Sequence, residues 1–288
     1  FTLHAFQSCF NDLELRAIDH DGYTGNIRFT LQEVQEIAKS HGLHYPVDTP
    51  SRGLATIGGN VATNAGGVRV IAFGMTQQHV VGLRVVLADG SVLDRLHRLK
   101  KENTGFDITT LFCASEGTLG VITDVCVQLQ TPRTVSWNAA VPCADIQSAL
   151  DLALPLQDSL LAAEIFQTHA ANRVADAEGM KPLPSEKPWC LLLEGDGAKP
   201  ELPAETQWAM SAGESAKLWN YRELQASMLN RLSKVVKVDS SVPPVQLPTY
   251  VQQLTEQLAA GEDLFVFGHL LDGNFHIAVA NAEEKATT

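Results

Sequence analysis

The 288-residue chain is poor in positive charge, poor in aromatic residues and without a long apolar run. Lys and Arg total 21 against 33 Asp and Glu, a formal net charge of -12. Such a surface repels nucleic acid and anionic lipid unless a local patch reverses the sign, and no basic run supplies one. No window reaches the roughly 18 uncharged apolar residues that a spanning helix needs. The opening FTLHAFQSCFNDLELRAIDHDG lacks the basic start and apolar stretch of a signal peptide. The five cysteines, Cys9, Cys113, Cys126, Cys143 and Cys190, form no CxxC and leave one over in any pairing. That points to a reduced, cytoplasmic setting, with peripheral attachment to a membrane and a mitochondrial matrix location left open. Neither GxGxxG behind a strand nor GxxxxGK[ST] occurs, and no repeat or low-complexity tract is visible. The chain starts without Met and ends at EEKATT, so part of a longer product is expected.

What is present is ordinary globular composition, 45% apolar and 19% charged, at a length that suits two domains of roughly 150 residues each. TLQEVQEIAKSHG predicts a helix: Thr30 and Glu33 make a capping box, and Leu31, Val34, Ile37 and Ala38 form one apolar stripe ended by Gly42. Residues 51–74, SRGLATIGGNVATNAGGVRVIAFG, hold six glycines and little periodicity, and read as structured loop. Asp89-Gly90 predicts a tight hairpin between two β-rich runs. In VITDVCVQLQ the alternation of Ile122, Val125, Val127 and Leu129 is imperfect but strand-like. A boundary is expected near Thr131–Thr134. Beyond it strands (VSWNAAV, LLAAEIF, WCLLLEG) alternate with helices of about ten residues, an α+β or α/β layer. A helix follows over about Ala209–Ser233, then the helix LPTYVQQLTEQLAAG and the strands LFVFGHL and NFHIAVA.

Four clusters can carry chemistry. Gly58-Gly59 and Gly66-Gly67, with Asn60, Thr63 and Asn64 between them, offer bare backbone and polar donors to a phosphate or a polar heterocycle; a turn-rich surface loop would look the same. In SEGTLGVIT, Glu116 sits beside Gly117 and Gly120, either as an acceptor at a planar ligand or as a brace for the turn. In FGHLLDGNFH, His269 and His276 lie seven residues apart across a turn, which suits two ligands of a metal such as zinc or two unconnected histidines. In LWNYRE and KVVKVDSSVP, Arg222 offers a planar fork for a carboxylate and Lys237 a point cation; either is otherwise a solvated charge.

Taken in this order, HGLHYPVDTPSRGLATIGGNVATNAGG, FGMT, VLADGSVL, KENTGFDITTLFCASEGTLGVIT, LWNYRE and GHLLDGNFH resemble the FAD-linked oxidase family, within the vanillyl-alcohol-oxidase-like flavoproteins. That group includes D-lactate dehydrogenases, glycolate oxidase subunits and D-2-hydroxyglutarate dehydrogenases. The resemblance implies an α+β fold: the second part of a PCMH-type FAD-binding domain over 1–131, its phosphate-cradling N-terminal part missing, then a truncated mixed α/β cap over 132–288. It places FAD against Ile57, Gly58, Gly59, Asn60, Thr63, Asn64, Gly66 and Gly67, with a second contact at Glu116, Gly117, Gly120 and Ile122. It assigns Arg222 to the substrate carboxylate, Lys237 to its support and Asn274 to the approach of flavin and substrate. His269 and His276 become metal ligands, zinc being the expected ion, and His276 a member of the catalytic set.

The activity implied is oxidation of a small D-2-hydroxy acid by hydride transfer to flavin N5, with a quinone, an electron-transfer flavoprotein or a cytochrome as acceptor. No nucleic-acid partner and no transmembrane segment are expected, and a homo-oligomer is compatible with the sequence. Three departures stand out. Residues 1–29 have no GGGT-type counterpart, Leu271 replaces the glycine of GHxGDGN, and the chain stops before an SxEHGxG-like segment that in the family supplies a third metal ligand. A non-catalytic relative or subunit that keeps the fold and acts through protein contacts is the alternative reading.

Overall fold

A computed structural model describes residues 22–26, 28–96, 103–232 and 234–281. Expectations that concern residues 1–21, Cys9 among them, and Lys101 and Glu102 of KENTGFD lie outside the described residues. The chain divides into two compact units between Arg133 and Thr134.

In the first unit, β1 (Gly22–Asn26), α1 (Leu31–Ser40), α2 (Ile57–Thr63), α3 (Val70–Phe73), β2 (Val80–Val86), β3 (Val92–Arg95), α4 (Ile108–Phe112) and β4 (Val121–Gln128) follow in chain order. The strands form one antiparallel sheet in the order β1-β4-β2-β3. The capping box that starts α1 is present: Glu33 N–H donates to Thr30 Oγ1 (3.2 Å) and Thr30 N–H to Glu33 Oε2 (2.8 Å). Leu31, Val34 and Ala38 bury the predicted stripe in a core shared with Tyr45, Ile57, Val61, Leu83, Val85, Val125 and Val127. The Asp89-Gly90 hairpin joins β2 to β3, with Gly90 at φ +85° and Asp89 Oδ1 accepting from Ser91 N–H.

The broken alternation in β4 has a physical cause. Arg84 faces Asp124 and Val85 faces Ile122, so Thr123 is an extra residue in the ladder. This bulge lets Ile122 and Val125, three apart, both point into the core.

The structure corrects the loop reading of residues 51–74, which contain α2 and α3. Thr56 caps α2 by accepting from Gly59 N–H (3.1 Å), and Asn64 ends it in the left-handed conformation. Two glycines each cost a helix about 1 kcal/mol relative to alanine. Ile57 and Val61, one turn apart and fully buried, return about 1.5–3 kcal/mol each. A stripe of two residues is too short to register as periodicity.

The second unit contains β5 (Trp137–Cys143), α5 (Ile146–Ala153), β6 (Leu160–Gln167), α6 (Thr168–Glu178), β7 (Trp189–Gly195), β8 (Gln207–Ala209), α7 (Ala212–Glu223), α8 (Gln225–Leu229), β9 (Val236–Ser241), α9 (Leu247–Glu256), β10 (Asp263–His269) and β11 (Asn274–Ala280). Its seven strands run β8-β5-β7-β6-β10-β11-β9. Every pairing is antiparallel, which decides for α+β. β5 and β7 are buried at every residue and β6 at all but its last, so the middle of the sheet is covered on both faces.

The helix predicted over 209–233 is instead a strand end, α7 and α8. Ser211 and Glu214 form a capping box that starts α7 two residues after β8. One stripe of α7, Ser215, Trp219 and Arg222, meets buried polar groups of the sheet. Asn138 donates to Ser215 Oγ (2.9 Å) and accepts from Trp219 Nε1 (2.8 Å), and Glu164 accepts from Arg222 Nε (2.5 Å). Buried polar atoms on both sides are thereby satisfied, which fixes the helix's rotation on the sheet.

Candidate functional site

In the first unit the two glycine-bearing segments meet. Ala114 N–H donates to Val61 O (3.1 Å) and Glu116 N–H to Ala62 O (2.9 Å), which ties the loop of residues 114–117 to the second half of α2. That loop is wound by three left-handed residues, Ala114, Glu116 and Gly117, at φ +62°, +49° and +76°. Gly67 crosses so near the Asp48 carbonyl that a Cβ would stand 1.9 Å from its oxygen, and at Gly120 a Cβ would stand 2.9 Å from Val86 O. Gly66 is crowded by the Met75 side chain. Asn64 Oδ1 accepts from Gln77 N–H (2.8 Å), Thr63 donates to Gly59 O (3.0 Å), and Gly58 is buried while Gly59 is exposed. Ile57 and Ile122 spend their side chains in the core, so only their backbone is open to a ligand.

The chemistry of this donor set fits a flavin nucleotide. Asn60 Nδ2 and Ser115 Oγ, one from each segment, are buried without a hydrogen-bond partner, a costly state that a ligand's polar atoms would relieve. Ser115 opens the SEGTLGVIT motif, but its hydroxyl carries no signal of its own in the sequence. A separate cleft of about 620 Å³, lined by residues such as Gln35, Lys39, His44 and Arg52, contains none of the predicted site residues.

In the second unit the sheet register assembles the other cluster. Glu164 on β6 is the direct partner of His269 on β10; Phe267, two residues earlier, is the partner of His276 on β11; and His276 is in turn the partner of Asp239 on β9. Cross-strand partners share a face and residues two apart return to it. Glu164, Phe267, His269, His276, Asp239, Lys237 and Asn274 are therefore on one face. Arg222 reaches that face from α7, its guanidinium 4.9 Å from the Phe267 ring centre.

Each histidine is held by a carboxylate from the next strand. His269 Nδ1 contacts Glu164 Oε1, and His276 Nδ1 lies 2.6 Å from Asp239 Oδ1. The rings are edge to face with centroids 6.2 Å apart. Leu271 does not break the turn: it keeps φ negative, and β10 and β11 pair in register from Gly268 and Phe275 onward. Gly273 takes the left-handed position, φ +82°, where a Cβ would strike Val242 O.

Burial works to raise the Glu164 carboxyl, but Arg222 and His269 more than offset it and hold the group below the usual carboxylate range. Burial likewise works against a charged His269, and Glu164 overrides it, raising the imidazole. At His276 burial prevails over Asp239 and lowers it, favouring the neutral ring. Burial raises Asp272, whose carboxylate accepts from Asn274 N–H (2.9 Å).

Arg222, His269, His276, Lys237 and Asn274 are thus brought to one face, whereas the flavin-type residues belong to the other unit. Arg222 is only 7% exposed, so it is not a solvated charge. Lys237 is exposed and bonded to Asn230. An imidazole whose Nδ1–H is held by a carboxylate binds a metal through Nε2 once the ring is neutral, the form burial favours at His276 and Glu164 disfavours at His269, and the two rings supply two ligands. Among the described residues no group of three or more His, Cys, Asp or Glu could hold a metal ion. Sequence reading missed Glu164 and Asp239. The signal for Glu164 was a lone charge inside the apolar run LLAAEIF.

Residues 29–95 match the FAD binding domain family, and residues 133–288 match the family of FAD linked oxidases, C-terminal domain. The chain is 33% identical to the D-2-hydroxyglutarate dehydrogenase of Xanthomonas citri pv. viticola, over 93% of this chain and 61% of the relative. It is 34% identical to the mitochondrial D-2-hydroxyglutarate dehydrogenase of Bos taurus, over 87% of this chain and 50% of the relative. It is 30% identical to the glycolate oxidase subunit GlcD of Bacillus subtilis, over 91% and 60%. The chain therefore spans about half to three-fifths of the length of these relatives. A solved alkyldihydroxyacetonephosphate synthase shares the fold at TM-score 0.69 and 15% identity, covering 94% of this chain and 57% of that one. No helix among the described residues is long and apolar enough to cross a membrane.

Proposed function

Because the chain belongs to the FAD-linked oxidase family, with a PCMH-type FAD-binding unit followed by the family's mixed α/β C-terminal cap, we propose that it takes part in FAD-dependent oxidation of a small D-2-hydroxy acid. The observation that carries this reading is Arg222. Its Nε is committed to Glu164, its plane lies over Phe267, and among the described residues its two terminal nitrogens have no hydrogen-bond partner. A buried guanidinium presented in this way binds a carboxylate bidentately.

Lys237 adds positive charge on the same face, and Asn274 an amide two residues from His276. His269 and His276 would hold a divalent metal through Nε2, with Glu164 and Asp239 fixing their rings. Asn60, Ser115 and the bare backbone of Gly59 would take the flavin. FAD supplies a hydride acceptor, and a metal such as zinc lowers the pKa of the hydroxyl it binds. The protein's own part is to orient the acid by its carboxylate and to set the hydroxyl beside the two imidazoles.

The activities for which these relatives are named support 2-hydroxyglutarate or glycolate as the acid, and D-lactate belongs to the same chemical class. The electron acceptor would be a quinone, an electron-transfer flavoprotein or a cytochrome. Anaerobic addition of D-2-hydroxyglutarate, glycolate or D-lactate to the flavin-loaded protein tests the proposal. Bleaching of the visible flavin band by one of the three, and not by the L-enantiomer of a chiral acid, is expected. A flavin-loaded protein that none of them bleaches would favour the non-catalytic reading.

A further inference from the structure

Glu164 is fully buried, yet every other strand residue from Leu160 to Phe166 is apolar. A carboxylate there costs several kcal/mol unless both oxygens are paired, and here they are divided. Oε2 takes Arg222 Nε–H at 2.5 Å, and Oε1 contacts His269 Nδ1. Paired with the permanently charged Arg222, the carboxylate is ionised and therefore an acceptor only, so the proton between it and the imidazole belongs to Nδ1. That leaves the His269 lone pair on Nε2. The same carboxylate prevents Arg222 from swinging, so the terminal nitrogens of the guanidinium keep one direction.

We propose that Glu164 is a positioning residue that fixes the tautomer of His269 and the orientation of Arg222 through one carboxylate, so that the imidazole and the guanidinium present themselves to substrate as a single unit. Asp239 does the corresponding work for His276 alone, from an exposed position on β9. The arrangement rests on the reading of this face as the substrate site, and it deepens that reading by naming the group behind it.

Glu164→Gln discriminates, because a carboxamide has one acceptor end and one donor end. Arg222 Nε–H can only donate, so Gln must turn its oxygen to Arg222 and its NH2 to His269. His269 Nδ1 must then accept, and the ring's proton moves to Nε2. Long-range 1H–15N spectra of the histidine-labelled chain, recorded at alkaline pH where the ring is neutral, read this directly. The expected result is the Nδ1–H tautomer for His269 in the native chain and in Glu164→Asp, and the Nε2–H tautomer in Glu164→Gln. Zinc affinity, measured by titration, should fall at least about tenfold in Glu164→Gln, the range seen when a partner behind a ligand is lost.

An Nε2–H tautomer in the native chain, or an unchanged tautomer in folded Glu164→Gln, would overturn the proposal. Should Glu164→Gln fail to fold, the native and Glu164→Asp spectra still decide, since both must show Nδ1–H. The two readings fail separately: inversion of the tautomer in a flavin-loaded protein that oxidises no 2-hydroxy acid would remove the proposed function and leave the role of Glu164 intact.

Discussion

Arg222 does three things with one side chain: Nε anchors to Glu164, the plane stacks on Phe267, and the terminal nitrogens stay open. Lysine keeps the charge but concentrates it on one nitrogen, so it cannot hold Glu164 and also present two parallel donors to a substrate carboxylate. Arg222→Lys is therefore expected to lower kcat/KM by at least about tenfold, the loss being of the size seen for a truncated buried ion pair, with little change in the thermal midpoint. Steady-state kinetics beside a melting curve checks both halves. A second residue-scale effect concerns pH. Burial lowers the pKa of His79, which is 2% exposed, and burial and then Arg69 lower that of His44. The unfolded chain, with imidazoles near 6.5, then binds protons that the folded unit refuses, so stability rises with pH through this range and is lost as pH falls below about 6.5. His269 has the opposite sign: its contribution is full below about 6.5 and fades as pH climbs through its raised value. Thermal midpoints followed at the first unit between about pH 7.5 and about pH 5.5 should fall on acidification, and His79→Gln should flatten the slope.

At the scale of elements, the glycines of the TIGGN and NAGG segments are not equivalent. At Gly67 an added methyl meets the Asp48 backbone at 1.9 Å, which cannot move without displacing the chain, whereas at Gly66 it meets side chains alone, Met75 Sδ at 2.7 Å and Val70 Cγ2 at 2.9 Å. Gly67→Ala should cost several times more stability than Gly66→Ala and should weaken flavin binding with it; denaturant unfolding of the two variants, paired with a flavin titration, tests the ranking. The capping box of α1 and the Asp89-Gly90 hairpin were legible because each is encoded in a few adjacent residues. The helix α2 was not, since its stripe is Ile57 and Val61 alone. Nor was the break between β8 and α7, where Ser211 and Glu214 cap a helix inside what reads as one helical run.

Across the whole molecule, the described residues offer a metal two imidazoles and no third ligand among them. Zinc held by two rings and water lacks the preorganised tetrahedral set of a stable protein site, so extensive dialysis of this span should strip it. Elemental analysis showing near-stoichiometric zinc would mean that a third ligand exists within the 288 residues. The sequence by itself determined the two-unit organisation's local ingredients: the strands of the second unit from apolar runs bounded by turn residues, the first helix from its cap, and the family resemblance from motifs whose residues are close together in the chain. What it left undecided was anything that depends on pairing between distant strands. Glu164, Arg222, Asp239, His269 and His276 span 113 positions, and no local propensity states that β6 will lie beside β10, or β11 beside β9. Only the assembled sheet, with side chains returning to one face every second residue, sets Glu164 opposite His269 and Asp239 opposite His276. The rotation of α7, set by Asn138 and Glu164, then brings Arg222 over them.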